Sequence, residues 1–458
     1  MGDRLFGTAG IRGVTNADIT PDLALRLGRA NGIWLKNRLK RAPKVAIGHD
    51  TRYGASMLAR AAACGFASAG CHVQSYGIVP TGAFSLNVAK TEQDGGLLVT
   101  GSHMGPDRIG LILVDHEGAV RPFRQTDEIE LLLDADLPAA PPHEIGRLEE
   151  AFHPYELYVA ACMKALDAPL CRAKKYKIVV DPANGASCEI AKEFFEWLGC
   201  QVEMLHFDPN PLPDRPSEPR ASTVGAAIEL VRREKADLGA CFDVDADRLL
   251  LIDADGAALS EDSVGALFAA KILKPGQTCV VPVNSSGLID LVCGRLDVRL
   301  EYCEVGQPAE VEAIRAHKAS FCYEESGKYY FPAHGPWADA LFAAGKMLEI
   351  MARENKPLAA LVAELPRFHQ VKRNVDVDDA AKPGAMIAVA RRLQTELLDG
   401  RARDVVVDGF KRLYRDNAWL LFRKSGTEPL IRVYSDAPSP ERAQALADAG
   451  VKLLQECL

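Results

Sequence analysis

One local pattern recurs along the chain: a short apolar run, then a polar loop, then a stretch with helical periodicity. Three such apolar runs lie at residues 44–48, 177–181 and 279–283. The small-residue stretch 55–69, which follows the first loop, has helical spacing and predicts a helix after a strand. Because a strand followed by a crossover helix favours a mostly parallel sheet, the pattern predicts a tandem of related α/β domains.

The pattern changes from Val371 onward. Helical periodicity over 381–398 is followed by apolar runs around 405–407, 419–423 and 430–433. Helix and strand signals in this order, without the repeated strand-loop-helix unit, predict a smaller α+β domain.

Proline and acidic residues indicate where domains end. The stretch 134–142 is rich in both, a less clear border follows Asp253, and a further change falls near Leu365-Pro366. The segment 206–220 holds five prolines and fits an irregular surface loop. At about 150 residues per domain, the 458 residues correspond to roughly three domains, or four small ones.

Composition excludes several classes of protein. An apolar content of 48% and a charged content of 25% are typical of globular chains and not of disordered or collagen-like ones. The net charge of −8 argues against a nucleic-acid partner. The 12 cysteines form no CxxC pair, and no apolar stretch is as long as a membrane span or a signal-peptide core. We therefore expect a cytoplasmic protein with reduced thiols and no membrane partner, in which Cys241 and Cys279 pack as small apolar side chains.

The loop Asp243-Val244-Asp245-Ala246-Asp247-Arg248 lies between the apolar runs 238–242 and 249–252, and so predicts an acidic loop between two strands. Alternate carboxylates in a tight loop can converge on a hard cation, and three of them suit Mg²⁺. The alternative is a solvated acidic turn, but three like charges between buried strands are costly without a cation. A calcium-hand loop is excluded because it needs Gly and Glu where Arg248 and Ala254 stand.

A second loop, Thr100-Gly101-Ser102-His103, directly follows the apolar run 96–99. A serine between Gly and His can serve as a nucleophile or phosphate carrier, because the small neighbour permits close approach and the His can polarise the oxygen. The alternative is a plain glycine-rich turn. A hydrolase elbow is excluded, since it needs glycines where Thr100 and Met104 stand.

Three further segments carry candidate binding groups. The loop 423–429 offers a guanidinium, two hydroxyls and a glycine, which is the composition of a phosphate clamp, or else of a basic turn. The loop 322–328 offers adjacent carboxylates and a hydroxyl, which can read sugar hydroxyls or form a solvated turn. Residues 6–13 space their glycines as GxxGxxG, so no nicotinamide cofactor is implied, and Arg12 is the residue there that can meet a phosphate.

In this order the loops resemble the α-D-phosphohexomutase family, which includes phosphoglucomutase, phosphomannomutase and phosphoglucosamine mutase. The resemblance runs along essentially the whole chain. It implies an α/β fold of four domains around a central cleft: three related mixed α/β domains and a C-terminal α+β domain that closes over the ligand. The implied domains are 1–145 with the phosphoserine loop, 146–253 with the metal loop, 254–368 with the sugar loop and 369–458 with the phosphate loop.

The resemblance also implies roles for single residues. Ser102 looks like the phosphoserine and, with Asp243, Asp245 and Asp247, like a ligand of Mg²⁺. The other implied positions are catalytic Arg12, His103 and Arg248, and substrate-binding Glu324, Ser326, Arg423, Ser425, Gly426 and Thr427. The implied reaction moves a phosphoryl group between Ser102 and a sugar phosphate through a bisphosphorylated sugar, with a sugar bisphosphate as activator. A phosphorylated sugar is the expected partner, and a homodimer is a candidate assembly.

The chain departs from the family pattern where protons are handled. The usual serine loop reads Thr-Ala-Ser-His-Asn-Pro and continues to Asn-Gly-x-Lys, whereas here Gly101 and Met104 intervene and Ile112 stands at the lysine. The usual His of the sugar loop is Lys328, and the usual Val-Gly-Asp is Val305-Gly306-Gln307. We hypothesise that Lys328 takes over acid/base work or phosphate contact; the alternative is a lysine that points to solvent.

Three interpretations of the function stay open. The leading one is a mutase that exchanges the 1- and 6-phosphates of glucose, mannose or glucosamine. A second keeps the reaction but changes the substrate to a pentose or specialised sugar phosphate, because the sugar loop departs from the pattern. A third is a non-catalytic phosphosugar-binding protein, against which the intact Ser102 and the complete acidic triad argue.

Overall fold

The structure is a computed structural model that describes residues 5–8, 10–151, 154–426 and 428–458. The chain forms two compact units. The first unit comprises Met1–Glu261 with Ser326–Leu361, and the second comprises Asp262–Glu325 with Val362–Leu458.

Nineteen strands are present in the described residues. They are β1 (Ile11–Val14), β2 (Lys44–His49), β3 (His72–Ile78), β4 (Gly95–Thr100), β5 (Arg108–Asp115), β6 (Leu148–Glu150), β7 (Lys177–Asp181), β8 (Gln201–Met204), β9 (Leu238–Phe242), β10 (Leu249–Asp253), β11 (Thr278–Pro282), β12 (Arg299–Cys303), β13 (Phe321–Glu324), β14 (Lys328–Tyr330), β15 (His369–Asp376), β16 (Arg401–Val405), β17 (Phe410–Tyr414), β18 (Trp419–Lys424) and β19 (Leu430–Ala437).

Fifteen α-helices and one short 3₁₀ helix (Pro142–Glu144) are found in the same residues. The α-helices are α1 (Pro21–Leu39), α2 (Ala55–Ser68), α3 (Thr81–Lys90), α4 (Phe123–Leu133), α5 (Pro154–Ala165), α6 (Ala168–Lys174), α7 (Cys188–Trp197), α8 (Gly225–Glu234), α9 (Glu261–Ile272), α10 (Gly287–Leu296), α11 (Gln307–His317), α12 (Ala340–Glu354), α13 (Leu358–Ala363), α14 (Lys382–Arg392) and α15 (Pro440–Gln455).

The three predicted repeats occupy the same place in three sheets. In the first sheet, whose order is β1-β5-β4-β2-β3-β6, strand β2 lies between its parallel neighbours β3 and β4. In the same way β7 lies between β8 and β9, and β11 lies between β12 and β13, with all pairs parallel. These central strands are buried, which is why each reads as a continuous apolar run in the sequence. The prediction of related α/β domains is confirmed.

The C-terminal part has a different architecture. Its five strands follow the order β15-β19-β18-β17-β16, and each neighbouring pair is antiparallel. Helices α14 and α15 pack their apolar side chains against this sheet. The predicted α+β domain is therefore present, although α14 ends at Arg392, short of the predicted 398.

Two predictions about the chain as a whole can be compared with the structure. All twelve cysteines are free thiols, and Cys241 and Cys279 are fully buried as expected. Among the helices that the structure describes, none is long and apolar enough to cross a membrane.

The proline-rich segment 206–220 is irregular as predicted, but it is not purely a surface loop, because Arg215 and Ser217 are buried.

The strand ends place the candidate loops of the first unit. Strand β4 ends at Thr100, two residues before Ser102, and β9 ends at Phe242, directly before the acidic loop. Both strands run parallel to the central strand of their sheet, so each loop leaves the carboxyl edge, where α/β proteins place their ligand sites.

Candidate functional site

Ser102 is held in a strained, buried conformation against the acidic loop. Its backbone φ is 45°, in the left-handed region that L-residues other than Asn and Asp rarely adopt, and the residue is 1% exposed. Its hydroxyl donates to Asp243 Oδ2 over 2.7 Å, and its N–H donates to Thr100 Oγ1 over 2.9 Å. The serine oxygen is thereby fixed beside a carboxylate that comes from another sheet.

The conformation of the serine loop is set by Arg52, which the sequence analysis did not single out as a site residue. Its Nη2 donates to the carbonyls of Ser102 over 2.7 Å and Met104 over 2.5 Å. Its Nη1 donates to the carbonyls of Arg108, over 3.2 Å, and Gly105. The signal for this role was present, since Arg52 lies in the polar loop after β2, next to β4 in the sheet.

Gly101 is required because Arg52 lies so close to it. A Cβ atom at position 101 would stand 2.5 Å from both Cδ and Cζ of Arg52. The backbone N–H of Gly101 also donates to Asp50 Oδ2 over 2.8 Å, which holds this peptide against the arginine. The departure from the family's usual alanine at this position thus has a steric reason.

A double-mutant cycle tests this coupling. We expect Gly101→Ala to lower the free energy of unfolding by about 1–3 kcal/mol through overpacking, and Arg52→Met to lower it by about 3 kcal/mol. The double variant should lose less stability than the sum of the two single variants. The flexible methionine side chain can move away from the new methyl group, whereas the rigid guanidinium of Arg52 cannot. Urea unfolding measures all four proteins. Gly294→Ala lies inside α10, where a Cβ meets no atom within 4 Å, and is the control that should not lower stability; strict additivity would contradict the coupling.

The three acidic side chains converge as predicted. Asp243, Asp245 and Asp247 are each at most 3% exposed, and each offers a carboxylate oxygen within 4.8 Å of the others. Burial, and then repulsion by the neighbouring carboxylates, raises the pKa of Asp243 well above its usual range and that of Asp245 to about 6. Asp245 Oδ1 is buried without a hydrogen-bond partner among the described residues. An all-oxygen set with an unused buried acceptor fits a hard cation such as Mg²⁺.

Cationic side chains surround the same loop. Burial, and then the positive charges of Arg248, Arg12 and Lys328, lower the pKa of His103 to about 2, so the imidazole is neutral. Arg248 Nε lies 3.8 Å from Asp243 Oδ2. The first unit therefore brings together Ser102, His103, Arg12, Arg248, Lys328 and the acidic triad.

Lys328 does not point to solvent. Its side chain is 3% exposed, and its Nζ lies 2.9 Å from Asp247 Oδ2. Burial raises the pKa of Asp247, but the positive charges of Lys328 and Arg248 lower it by more, so the pKa of this carboxyl is lowered overall. The solvent-exposed alternative is therefore wrong. Ile112, at the place of the family's usual lysine, is buried in β5 and offers no polar group.

The proline-rich segment supplies residues that sequence reasoning missed. Glu218 accepts from Arg248 Nη1 over 2.5 Å and so orients this arginine beside the acidic loop. Arg215 donates from Nε to Asp181 over 2.7 Å and from Nη2 to the Phe242 carbonyl over 2.6 Å, directly before the acidic loop. Irregular backbone gave no periodic signal from which these contacts could have been predicted.

In the second unit the predicted phosphate clamp forms the turn between β18 and β19. Arg423 Nε lies 2.5 Å from Asp408 Oδ2, and the same carboxylate oxygen accepts from the Val305 N–H over 3.2 Å. Ser425 is buried, while Gly426 is exposed and a Cβ there would meet no atom within 4 Å. Thr427, the remaining predicted clamp residue, lies outside the described residues.

We expect Asp408→Asn to weaken substrate binding rather than the chemical step. Asn keeps the shape and tolerates the φ of 46°, but it loses the charge that fixes Arg423. Steady-state kinetics should show KM raised roughly tenfold with kcat nearly unchanged. The matched control is Asp416→Asn, whose carboxylate meets Arg442 at 3.3 Å on an exposed turn and should leave both parameters unchanged. An unchanged KM in Asp408→Asn would contradict the role.

The sugar loop is divided between the two units. Glu324 is the last residue of β13 and belongs to the second unit, whereas Ser326 begins the returning segment of the first. In the second unit Glu325 Oε2 lies 2.9 Å from Lys372 Nζ, so the second carboxylate of the predicted pair is occupied by an ion pair. Gln307 is the buried first residue of α11, at the place of the family's usual Asp.

Comparison with known families decides the class of the protein. Models of the phosphoglucomutase/phosphomannomutase family match in four successive parts: α/β/α domain I over residues 3–138, domain II over 156–256, domain III over 260–368 and the C-terminal domain over 373–453. The chain belongs to the phosphoglucomutase/phosphomannomutase family. It is a phosphohexomutase, an isomerase, with three α/β domains and a β-rich C-terminal domain, as the resemblance implied.

Relatives of this phosphohexomutase carry names with different sugars. A phosphoglucomutase/phosphomannomutase of Thermococcus kodakarensis is 33% identical over 99% of this chain and 99% of its own length. A phosphopentomutase of the same organism is 31% identical over 97% and 96%. A crystal structure of a phosphoglucomutase/phosphomannomutase family protein from Burkholderia thailandensis shares the fold, with a TM-score of 0.85 at 24% identity, over 99% of this chain and 97% of that one.

Proposed function

We propose that the protein interconverts the 1-phosphate and 6-phosphate of a hexose through a phosphoserine at Ser102 and a bisphosphorylated sugar. The observation that carries this proposal is the 2.7 Å contact between the Ser102 hydroxyl and Asp243, inside a buried triad of carboxylates. A serine used only as a turn residue would not need to be fixed, against backbone strain, beside three acids.

The residues of the first unit divide the work of phosphoryl transfer. Asp243, Asp245, Asp247 and the Ser102 oxygen would hold Mg²⁺, which when bound draws negative charge from the phosphoryl group. Asp243 accepts the hydrogen bond of the serine hydroxyl and so orients the oxygen that attacks.

The cations and His103 complete the site that we propose. Arg12 and Arg248 offset charge on the moving group, with Arg248 oriented by Glu218. His103 is a neutral imidazole, so one of its ring nitrogens donates a hydrogen bond and the other accepts one. These fixed groups position the phosphoryl group without having to reorganise during transfer.

In the second unit we propose that Arg423, Ser425, Gly426 and Thr427 bind the phosphate that is not transferred and that Glu324 binds sugar hydroxyls. In the first unit we propose that Ser326 binds sugar hydroxyls. Arg423 is already oriented by Asp408, whose Oδ2 accepts from its Nε over 2.5 Å. A sugar bisphosphate would load Ser102 with its first phosphoryl group. The buried free thiols support a reducing, cytoplasmic location.

We propose that Lys328 contacts the reacting phosphate or the sugar hydroxyl, and two variants separate a charge from a proton-transfer role. Arg keeps the positive charge but cannot release a proton, whereas Met removes both. If Lys328 moves a proton, Lys328→Arg and Lys328→Met should both lower kcat by roughly 10²-fold. If it supplies charge alone, only Lys328→Met should do so. Unchanged kcat in both variants would contradict any role.

The alternative substrate is a pentose phosphate. The phosphopentomutase of T. kodakarensis is nearly as similar to this chain as the hexose enzyme, so identity does not favour one sugar decisively. The sugar loop and its neighbours also depart from the family pattern. A five-carbon substrate would need the same serine, metal ligands and clamp.

The deciding experiment is ³¹P NMR of the purified protein with Mg²⁺ and a trace of sugar bisphosphate. Glucose, mannose, glucosamine and ribose 1-phosphates are offered at equal concentration. Conversion of a hexose 1-phosphate to its 6-phosphate supports the proposal and identifies the sugar, whereas conversion of ribose 1-phosphate alone favours the pentose alternative. No conversion of any of them would contradict the proposal and favour a specialised sugar phosphate as the substrate, or a protein that binds phosphosugars without turnover.

A further inference from the structure

A second cluster of potential metal ligands lies in the first unit, outside the acidic triad. Cys162 of α5, His334 of the turn before α12 and Asp339 at the N-cap of α12 each offer one ligand atom within 4.8 Å of the others. The Cys162 Sγ is 3.9 Å from His334 Nε2, and His334 Nε2 is 3.3 Å from Asp339 Oδ2. Cys162 is fully buried, and the His334 and Asp339 side chains are 5% and 2% exposed.

These distances are close to those in a tetrahedral zinc site. With Zn–S near 2.3 Å and Zn–N and Zn–O near 2.0–2.2 Å, neighbouring ligand atoms stand roughly 3.3–3.6 Å apart. The nitrogen–oxygen distance of 3.3 Å already matches, and the sulfur–nitrogen distance of 3.9 Å exceeds this range by about 0.3 Å. The Tyr158 hydroxyl donates to Asp339 Oδ1 over 2.8 Å and lies within hydrogen-bonding reach of Cys162, so a further oxygen lies beside the cluster.

His334 and Asp339 are each held by contacts made through atoms other than the ligand atom. The His334 ring stacks on Phe342 with centroids 4.0 Å apart and an interplanar angle of 3°. Asp339 uses Oδ1 to accept from the Phe342 N–H over 3.0 Å and from Tyr158, which leaves Oδ2 directed at the histidine. Such outer contacts orient metal ligands in proteins and keep the cost of ordering them low.

The chemistry of the set selects the kind of ion. Sulfur and imidazole nitrogen are poor ligands for Mg²⁺, which prefers the all-oxygen triad, and good ligands for Zn²⁺. A thiolate and a carboxylate would balance a divalent charge, so the buried complex would be neutral and one proton would leave the thiol on binding. Without an ion, the buried Asp339 carboxylate is offset by hydrogen bonds from the Tyr158 hydroxyl and the Phe342 N–H and by His334 Nε2 at 3.3 Å.

We propose that Cys162, His334 and Asp339 bind one Zn²⁺ ion in a structural site that supports the acidic loop. The N–H of Ala340, the residue after Asp339, donates to the Ala246 carbonyl over 3.1 Å. An ion at this place joins α5, the His334 turn and α12 directly behind the loop that carries Asp245. The site therefore stabilises the first unit without touching the sugar phosphate.

Cobalt spectroscopy tests this proposal, because only a thiolate ligand gives a sulfur-to-cobalt charge-transfer band. Metal-free protein is titrated with Co²⁺ alone. We expect a charge-transfer band and tetrahedral ligand-field bands that saturate at one ion, are displaced by Zn²⁺ and persist in excess Mg²⁺. Cys162→Ser should lose the charge-transfer band, and His334→Gln should weaken Zn²⁺ binding roughly tenfold or more.

Two controls keep the result specific. Cys171→Ser, at another buried thiol on α6, should retain the band, and so should Asp245→Asn, which alters only the acidic triad. Zn²⁺ should raise Tm in the wild type but not in Cys162→Ser, whose metal-free circular dichroism is compared with that of wild type. Should Cys162→Ser fail to fold, His334→Gln, which retains the thiol, decides the question. Absence of the band in the wild type, or its persistence in Cys162→Ser, would show that the cluster is only hydrogen-bonded.

Discussion

Ser102→Ala should lower turnover by roughly 10³-fold or more, because alanine has no oxygen to carry a phosphoryl group. The same variant should never gain the mass of a phosphoryl group when it is incubated with a hexose bisphosphate and Mg²⁺, whereas the wild type should gain one. Intact-mass spectrometry measures the uptake, and a coupled assay measures turnover.

The chain offers a matched control for this experiment. Ser286 also follows a buried central strand, and its hydroxyl donates to a buried carboxylate, that of Asp436, over 3.1 Å. Ser286→Ala removes a similar hydrogen bond in the second unit and should still take up one phosphoryl group. Phosphoryl uptake by Ser102→Ala at the wild-type level would show that another group carries the phosphate, and the proposed reaction would be wrong.

The features that could be predicted from the sequence are those set by residues close together in the chain. The strands before Ser102 and before Asp243 are buried, so their apolar runs and the polar loops after them stand out in the sequence. Three carboxylates at alternate positions can converge within one turn, whatever the rest of the chain does. The grouping of the triad therefore needed no knowledge of tertiary structure.

The contacts that the sequence did not reveal connect residues far apart in the chain. Arg52 acts on the serine loop some fifty residues later, and Glu218 reaches Arg248 from a segment with no regular structure. Lys328 could be placed near the site only by resemblance, and its burial against Asp247 required the packing of β14. Pairings of this kind depend on the whole fold, whereas periodicity reports only on neighbours along the chain.

The predicted domain border at residue 145 also missed a contact between distant parts of the chain. Strand β6, which begins at Leu148, pairs with β3 of the first sheet although it follows the predicted border at residue 145. Its three residues are exposed, so no apolar run indicated a strand there. The borders of the four domains otherwise stay predictions.

Asp245→Asn should be more stable than the wild type without Mg²⁺ and less stable than the wild type with it. The variant should also lower turnover by roughly 10²-fold at saturating substrate. Burial and the neighbouring Asp247 make the charge of Asp245 unfavourable when no cation is present. In chelator the variant should therefore be more stable than the wild type, by on the order of 1 kcal/mol. With Mg²⁺ the wild type should be the more stable protein, because the ion binds its folded state more tightly.

Thermal unfolding of both proteins in chelator and in a Mg²⁺ series measures the inversion, and the same series gives the Mg²⁺ dependence of turnover. Asp253→Asn is the matched control, since Asp253 is also a buried acid at a strand end, but its Oδ1 accepts from the N–H groups of Asp255 and Ala257. It should show no Mg²⁺-dependent change relative to the wild type. If the wild type gained no stability from Mg²⁺, or if both Asn variants responded to it alike, the three carboxylates would not form the metal site, and charge crowding in the loop would need another explanation. Because Asp243 also orients Ser102, that outcome would weaken the proposed role of the serine as well.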